Sequence, residues 1–152
     1  MVSETYDSTP LLKVCRFLNE AGARYIVAGA YAMILNRAIR ATEDVDILIE
    51  ASQDNYARVI AGLSRLFDGA AAELTPRDFE ENIVIKIADE VEVDVSTKAW
   101  TVSYEEAAPN AQRTVLEGIE IPYLSLPDLI RSKQTYRDQD RIDVERLRGL
   151  LE

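Results

Sequence analysis

The stretch 29–49, GAYAMILNRAIRATEDVDILI, organises the rest of the sequence. Apolar residues recur at every second position near its end, which predicts a strand over 41–49 whose buried face carries Val45, Ile47 and Ile49. The same period places Asp44 and Asp46 together on the opposite face. Two carboxylates ~4 Å apart repel by roughly 4 kcal/mol at an effective dielectric constant of 20. This face is therefore a candidate platform for a cation.

A short loop precedes that strand. The apolar segment 25–28, YIVA, predicts a buried strand, and 30–36 has helical character, so Gly29 joins a strand to a helix start. Backbone N–H groups at a helix start favour an anion, and a glycine lets a phosphate approach closely. Taken alone, the loop is better explained as a plain strand-to-helix turn, and the acidic strand that follows it is what favours a phosphate site.

A third acid follows later in the chain. The alternation of isoleucines and then valines over 82–96 predicts a β-hairpin with a tight turn near 89–90. Asp94 lies on the second strand of this hairpin, on the face opposite the valines. If that strand neighbours the 41–49 strand, three carboxylates meet. With 27 acidic residues in the chain, a solvated acidic face is the alternative for any single pair.

Composition limits the possible chemistry. The chain has 152 residues, enough for one domain, and no histidine, which excludes Ser-His and Cys-His triads and most zinc hydrolase sites. Its single cysteine, Cys15, lies among apolar residues and is expected in the core. Oxygen ligands remain, which favour magnesium, manganese or calcium. A net charge of −10 makes nucleic acid an unattractive partner. We expect a cytoplasmic protein, since no apolar run approaches ~20 residues and no signal peptide is evident.

The predicted element order indicates an α/β (α+β) fold, a mixed β-sheet flanked by helices. Helices are expected over 9–20 and 52–67, and one or two short strands over 114–123. A helix from Ser125 to about Arg137 and a last helix after a capping pattern at 140–143 complete the chain. We expect a single domain over 1–152, with a core at about 25–96 and a C-terminal helical segment at about 125–151. The segments 70–77 and 100–110 receive no firm assignment.

The combination of Gly29-Ala30, the Arg-x-Thr-x-Asp-x-Asp run at 40–46 and the later Asp94 resembles the nucleotidyltransferase superfamily of the polymerase-beta type. That superfamily carries a small-residue loop, an Asp-x-Asp strand soon after it and a third acid further on. The form of the run and the compact size are most similar to small prokaryotic members, which include antibiotic nucleotidyltransferases and abortive-infection or toxin–antitoxin proteins. The resemblance extends over about 25–151.

The resemblance implies Mg²⁺-dependent transfer of a nucleoside monophosphate from a nucleoside triphosphate to a hydroxyl acceptor, with release of pyrophosphate. Asp44 and Asp46 would hold two metal ions, with Mn²⁺ as an alternative, and Asp94 would ligate a metal and accept the hydroxyl proton. The expected nucleotide-binding residues are Gly29, Ala30, Arg40, Thr42 and Lys133. One departure is Ala30, where the superfamily commonly has serine or a second glycine. Alanine keeps the close approach and the backbone amide but lacks the hydroxyl contact to phosphate that serine would make.

Other interpretations stay open. The acceptor is a small molecule, a side chain of a partner protein or, least attractively, an RNA end. A homo-oligomer or a partner subunit would complete a site that this short chain leaves unfinished. A noncatalytic relative that binds a partner protein, as an antitoxin does, is the main alternative, and a metal-stabilised binding module is another. For Arg137, Asp140 and Asp143, ion pairing between helices is expected ahead of catalysis.

Overall fold

A six-stranded mixed sheet forms the centre of the computed structural model, which describes residues 9–42 and 44–151. The strands are β1 (Tyr25–Ala28), β2 (Val45–Ile49), β3 (Val84–Ala88), β4 (Glu92–Ser96), β5 (Lys98–Ala99), β6 (Val102–Ser103), β7 (Gln112–Leu116) and β8 (Ile119–Tyr123). Their order in the main sheet is β3-β4-β2-β1-β8-β7, while β5 and β6 form a separate hairpin. The pairs β2–β4 and β1–β8 are parallel and the others antiparallel.

Seven α-helices accompany the sheet in the described ranges. They are α1 (Thr9–Glu20), α2 (Gly29–Leu35), α3 (Gln53–Leu63), α4 (Pro76–Glu81), α5 (Tyr104–Ala107), α6 (Leu126–Ser132) and α7 (Asp138–Gly149). Helix α1 packs on α3 and on β8, α2 packs on β1 and β2, and α6 packs on α7. The predicted mixed sheet with flanking helices is confirmed.

The core contains the apolar faces that the sequence pattern predicts. Val45, Ile47 and Ile49 are buried, as are the valines of β4. Cys15 is fully buried, and burial raises the pKa of its thiol to about 12, the hydrogen bond with Tyr25 offsetting only part of the effect. The thiol is therefore a core group, as predicted. No helix of the described chain combines the length and apolar character needed to cross a membrane.

Strand β2 and helix α3 are shorter than predicted. Strand β2 begins at Val45 rather than at 41, because its partner ladders with β1 and β4 extend only from Val45 onward. Helix α3 ends at Leu63, and tighter i→i−3 hydrogen bonds from Arg65 and Leu66 then turn the backbone. Phe67, the last residue of the predicted helix 52–67, therefore lies beyond α3 and is 85% exposed.

The C-terminal helices also differ in their bounds. Helix α6 ends at Ser132 instead of about Arg137, since the N–H groups of Lys133 and Gln134 bond three residues back and close the helix. Helix α7 begins at Asp138, so the predicted capping pattern at 140–143 lies inside it. The buried apolar residues of α7 are Val144 and Leu147. Ile142 on the same helix is exposed, as are Leu150 and Leu151 after its end.

Candidate active site

Four residues form one row across four adjacent strands of the sheet. The register pairs Ala28 with Asp46 between β1 and β2, Asp46 with Asp94 between β2 and β4, and Asp94 with Lys86 between β4 and β3. Directly paired residues of neighbouring strands project from the same face of a sheet. Two carboxylates are thus held side by side by the backbone itself, because the strand carrying Asp94 neighbours the one carrying Asp46, as the sequence suggested.

Gly29 lies against this pair. Its φ of +61° is in the left-handed region, where glycine is favoured. A Cβ atom added to Gly29 would come 2.1 Å from Oδ2 of Asp46, far inside any allowed contact. The sequence pattern proposed this glycine for close approach of a phosphate. The structure supplies a second reason, since only a residue without a side chain leaves room for the Asp46 carboxylate.

The environment of Asp46 disfavours its charge. Burial, the charge of Asp94 and a hydrogen bond between the two carboxyl groups raise the pKa of Asp46 to about 7, with Lys133 opposing the rise and Asp44 adding to it. Oδ1 of Asp94 is buried without a hydrogen-bond partner. Lys86 Nζ lies 4.0 Å from that atom, beyond hydrogen-bonding distance. These surroundings therefore disfavour ionisation of both carboxyl groups at the same time.

An open cavity of about 860 Å³ surrounds the pair. All eight residues proposed from the sequence line it: Gly29, Ala30, Arg40, Thr42, Asp44, Asp46, Asp94 and Lys133. The structure therefore brings the predicted set together at one place. The residues come from the β1–α2 junction, from the segment that precedes β2, from β2 and β4 themselves, and from the position directly after α6. Their individual roles stay predictions.

Asp44 occupies a different position from the other two acids. It precedes β2 and is exposed, and its carbonyl oxygen accepts a hydrogen bond from Oγ1 of Thr42 at 3.2 Å. In the ranges that the structure describes, no three carboxylates are already arranged as a metal cage. The contacting pair of Asp46 and Asp94, with the unpartnered Oδ1 atom, nevertheless offers the oxygen donors that a hard divalent cation prefers. Asp44 is on the wall of the same cavity.

A buried ionic cluster forms the opposite wall. Lys133 Nζ lies 2.9 Å from Asp143 and 3.6 Å from Asp140, and Arg40 Nε lies 3.4 Å from Asp143. Burial opposes ionisation of Asp143, but hydrogen bonds from Lys133 and Gln139 hold its pKa below the usual range. Helix α7 thus fixes both cations beside the carboxylate pair. Ion pairing, expected for Asp140 and Asp143, is what the structure contains.

Several residues that line the cavity were not predicted from the sequence. Lys86 was not singled out, although the predicted hairpin places it within one residue of facing Asp94. Trp100 and Tyr136 also line the cavity, and their rings meet edge to face with centroids 5.7 Å apart. Trp100 lies in a segment with no periodic pattern and Tyr136 in a loop expected to be helical. No local sequence signal brings these two together.

Comparisons with known proteins identify the family and the fold. A sequence profile of the aminoglycoside-2''-adenylyltransferase family matches residues 10–147, whereas no curated protein matches. A nucleotidyltransferase-like antigenic protein from Paracoccidioides brasiliensis superposes with a TM-score of 0.57 at 16% identity, covering 93% of this chain and 73% of that protein. A proposed nucleotidyltransferase from Thermotoga maritima gives a TM-score of 0.51 at 17% identity, with 93% and 89% coverage. The two structures share the fold, and the profile covers most of the chain. The chain therefore belongs to the aminoglycoside-2''-adenylyltransferase family, within the nucleotidyltransferase superfamily.

Proposed function

We propose that the protein transfers a nucleoside monophosphate from a nucleoside triphosphate to a hydroxyl acceptor in a Mg²⁺-dependent reaction that releases pyrophosphate. The observation that carries the proposal is the carboxylate pair Asp46–Asp94, held by sheet register beside a glycine that makes room for it. Such a pair, disfavoured in its ionised form, is stabilised by a divalent cation. Family membership and fold support nucleotidyl transfer as the general reaction.

The acidic residues of the cavity would hold the metal ions and accept the proton of the acceptor hydroxyl. Asp46 and Asp94, with Asp44 from the neighbouring wall, would hold the metal ions, which supply charge neutralisation at the phosphates when bound. The acceptor oxygen forms a bond to the α-phosphorus while the bond from that phosphorus to the bridging oxygen breaks, and pyrophosphate leaves. The hydroxyl proton passes to Asp94. Its Oδ1, buried and without a hydrogen-bond partner, has the capacity to accept it.

The cations of the opposite wall suit the triphosphate. Lys133 and Arg40 are held in place by Asp143, so little conformational entropy is lost when a phosphate binds. Ala30, the departure from the superfamily loop, lines the cavity and lacks a hydroxyl, but its backbone amide remains. We therefore assign phosphate binding chiefly to side-chain cations rather than to the loop.

The family name supports a choice of substrates. It describes adenylyl transfer to the 2'' position of an aminoglycoside, which favours ATP as the donor and a small polyhydroxylated molecule as the acceptor. The described lining of the cavity contains four aspartates and four basic residues: Asp44, Asp46, Asp94, Asp140, Arg40, Lys86, Lys133 and Arg137. This balance accommodates an anionic nucleotide together with metal ions.

A transfer assay tests the proposal. The protein is incubated with each of the four α-³²P-labelled ribonucleoside triphosphates, Mg²⁺ and a panel of small hydroxyl acceptors, and both pyrophosphate and labelled product are measured. We expect Mg²⁺-dependent transfer that Asp46→Asn reduces by about 100-fold or more. Asp68→Asn, the same chemical change at an exposed position outside the cavity, serves as the matched control.

The outcomes separate the proposal from its alternative. Transfer that is equally fast in Asp46→Asn would exclude the carboxylate pair as the catalytic centre. Absence of nucleotide binding, combined with a partner protein whose affinity is unaffected by Asp46→Asn, would favour the noncatalytic binding protein.

A further inference from the structure

Two exposed aromatic side chains line the cavity that contains the carboxylate pair. Trp100 is 46% exposed and Tyr136 is 83% exposed. Their rings meet edge to face, with an interplanar angle of 89°. Contiguous exposed apolar surface bordered by polar residues marks a candidate ligand-binding surface.

The backbone at Trp100 is strained. Residues 100 and 101 form the two-residue turn between β5 and β6, and Trp100 has a φ of +57°. Hairpin turns of this kind normally have glycine or asparagine at a position with positive φ, and a bulky residue is an outlier there. The two-residue turn between β7 and β8 has positive φ at both positions, Glu117 at +49° and Gly118 at +78°, but neither residue there has a large aromatic side chain. Strain of this type concentrates at ligand-binding positions.

The two rings come from the two walls that serve the proposed reaction. Trp100 follows β4, the strand of Asp94, by four residues, and Tyr136 follows Lys133 by three. Arg137, also on the cavity wall, is mostly exposed and lies 3.8 Å from Asp140, so it retains capacity to bind an anion. One segment thus supplies basic groups and an aromatic ring. A molecule that combines a polyphosphate with a planar ring matches this distribution.

We propose that Trp100 and Tyr136 bind the nucleobase of the nucleoside triphosphate by stacking at the mouth of the cavity. The proposal rests on the proposed function and assigns the base-binding end of the same site. Stacking accepts every base because each has a π-face, and it grows with ring area. Purine nucleotides are therefore expected to bind more tightly than pyrimidine nucleotides, with little discrimination between adenine and guanine.

The experiment compares binding of MgATP with binding of Mg²⁺-tripolyphosphate, which carries the phosphates without a base, by isothermal titration calorimetry. Tyr136→Ala and Trp100→Leu should each weaken MgATP binding by about tenfold and leave tripolyphosphate binding unchanged. Tyr136→Phe, which keeps the ring, should bind MgATP like the wild type. Phe67→Leu removes an equally exposed aromatic ring outside the cavity and is the matched control.

A second readout does not depend on turnover. Trp100 is the only tryptophan of the chain, so its fluorescence reports directly on this position. Saturating MgATP should change the emission of the wild type and of Tyr136→Phe, whereas tripolyphosphate should not. A fluorescence response of equal size to both ligands would contradict stacking of the base on Trp100.

Three results would overturn the proposal. Unchanged MgATP affinity in both Tyr136→Ala and Trp100→Leu would remove the aromatic pair from nucleotide binding and leave the proposed reaction intact. A raised KM for the acceptor with unchanged MgATP affinity would assign the rings to the acceptor instead. Failure of the wild type to bind any nucleoside triphosphate would contradict both this proposal and the proposed function, which distinguishes it from the first two results.

Discussion

Replacing Asp46 by asparagine should stabilise the metal-free protein at neutral and higher pH while it removes nucleotidyl transfer. Asparagine has nearly the same shape as aspartate, carries no charge and can donate a hydrogen bond from its amide to the Asp94 carboxylate. The substitution therefore removes the repulsion between the two acids without opening a cavity. A catalytic group whose loss increases stability indicates a site selected for function rather than for folding.

The magnitude follows from the pKa of Asp46. Burial and the neighbouring Asp94 raise that pKa from 3.8 to about 7. Because the folded pKa lies above the unfolded one, the folded state binds more protons between these values, so stability falls as pH rises from about 4 to 7. The full shift corresponds to about 4 kcal/mol. Since the two acids titrate as a pair, we expect about half of it, ~2 kcal/mol, or roughly 4–8 °C in Tm.

Thermal unfolding in EDTA at pH 4, 5, 6, 7 and 8 measures the effect. Wild type and Asp46→Asn should unfold at similar temperatures near pH 4 and diverge up to pH 7, after which the difference stays constant. Asp44→Asn is the control, since Asp44 is exposed and its substitution should change the free energy of unfolding by less than about 0.5 kcal/mol. Identical Tm values for wild type and Asp46→Asn at pH 8 would show that the ionised Asp46 carboxylate does not destabilise the folded protein.

Three further substitutions give separate tests. Gly29→Ala places a Cβ 2.1 Å from Asp46 Oδ2 at a φ of +61°. Urea unfolding should show that the free energy of unfolding falls by at least about 1–2 kcal/mol, and nucleotidyl transfer should fail. Unchanged stability would mean that Gly29 does not determine the position of the Asp46 carboxylate. Asp143→Asn leaves the buried Lys133 without its closest counter-charge and should cost about 3 kcal/mol of unfolding free energy, also by urea; a loss below about 1 kcal/mol would contradict the cluster. Trp100→Gly relieves a positive φ that costs about 1–2 kcal/mol, but it also removes the ring contact with Tyr136, which contributes about 0.5–1.5 kcal/mol. Because the two effects nearly cancel, Tm should change by only a few degrees. A large drop in Tm would argue against backbone strain at Trp100.

The sequence predicted the sheet where alternation was strong. The strand ending at Ile49 and the hairpin before Ser96 have one continuous apolar face, and a shift of one residue would expose it, so their register is strongly determined. That register brings Asp46 and Asp94 together, which is why the acidic pair was predictable. The start of β2 was not, because alternation alone does not show that Ala41, Thr42 and Asp44 lack a strand partner in the described part of the chain.

The opposite wall of the cavity required tertiary information. Lys133 was predicted as a nucleotide-binding residue on a helix that reaches about Arg137. That helix, α6, ends at Ser132, and the chain then turns Lys133 toward Asp143 on α7. The turn results from local hydrogen bonds that no residue pattern announces. Phe67 was misplaced for a similar reason, since helical periodicity was extended beyond the point at which α3 ends. Trp100 and Tyr136 meet only through the packing of segments far apart in sequence.

The proposed function requires a nucleotide site at Asp46 and Asp94 that depends on a divalent cation. Calorimetric titration with a nonhydrolysable ATP analogue tests this requirement most directly. We predict binding by the wild type that requires Mg²⁺ and is lost in both Asp46→Asn and EDTA. Binding of equal strength without Mg²⁺, or full retention of Mg²⁺-dependent binding in Asp46→Asn, would contradict the proposed function.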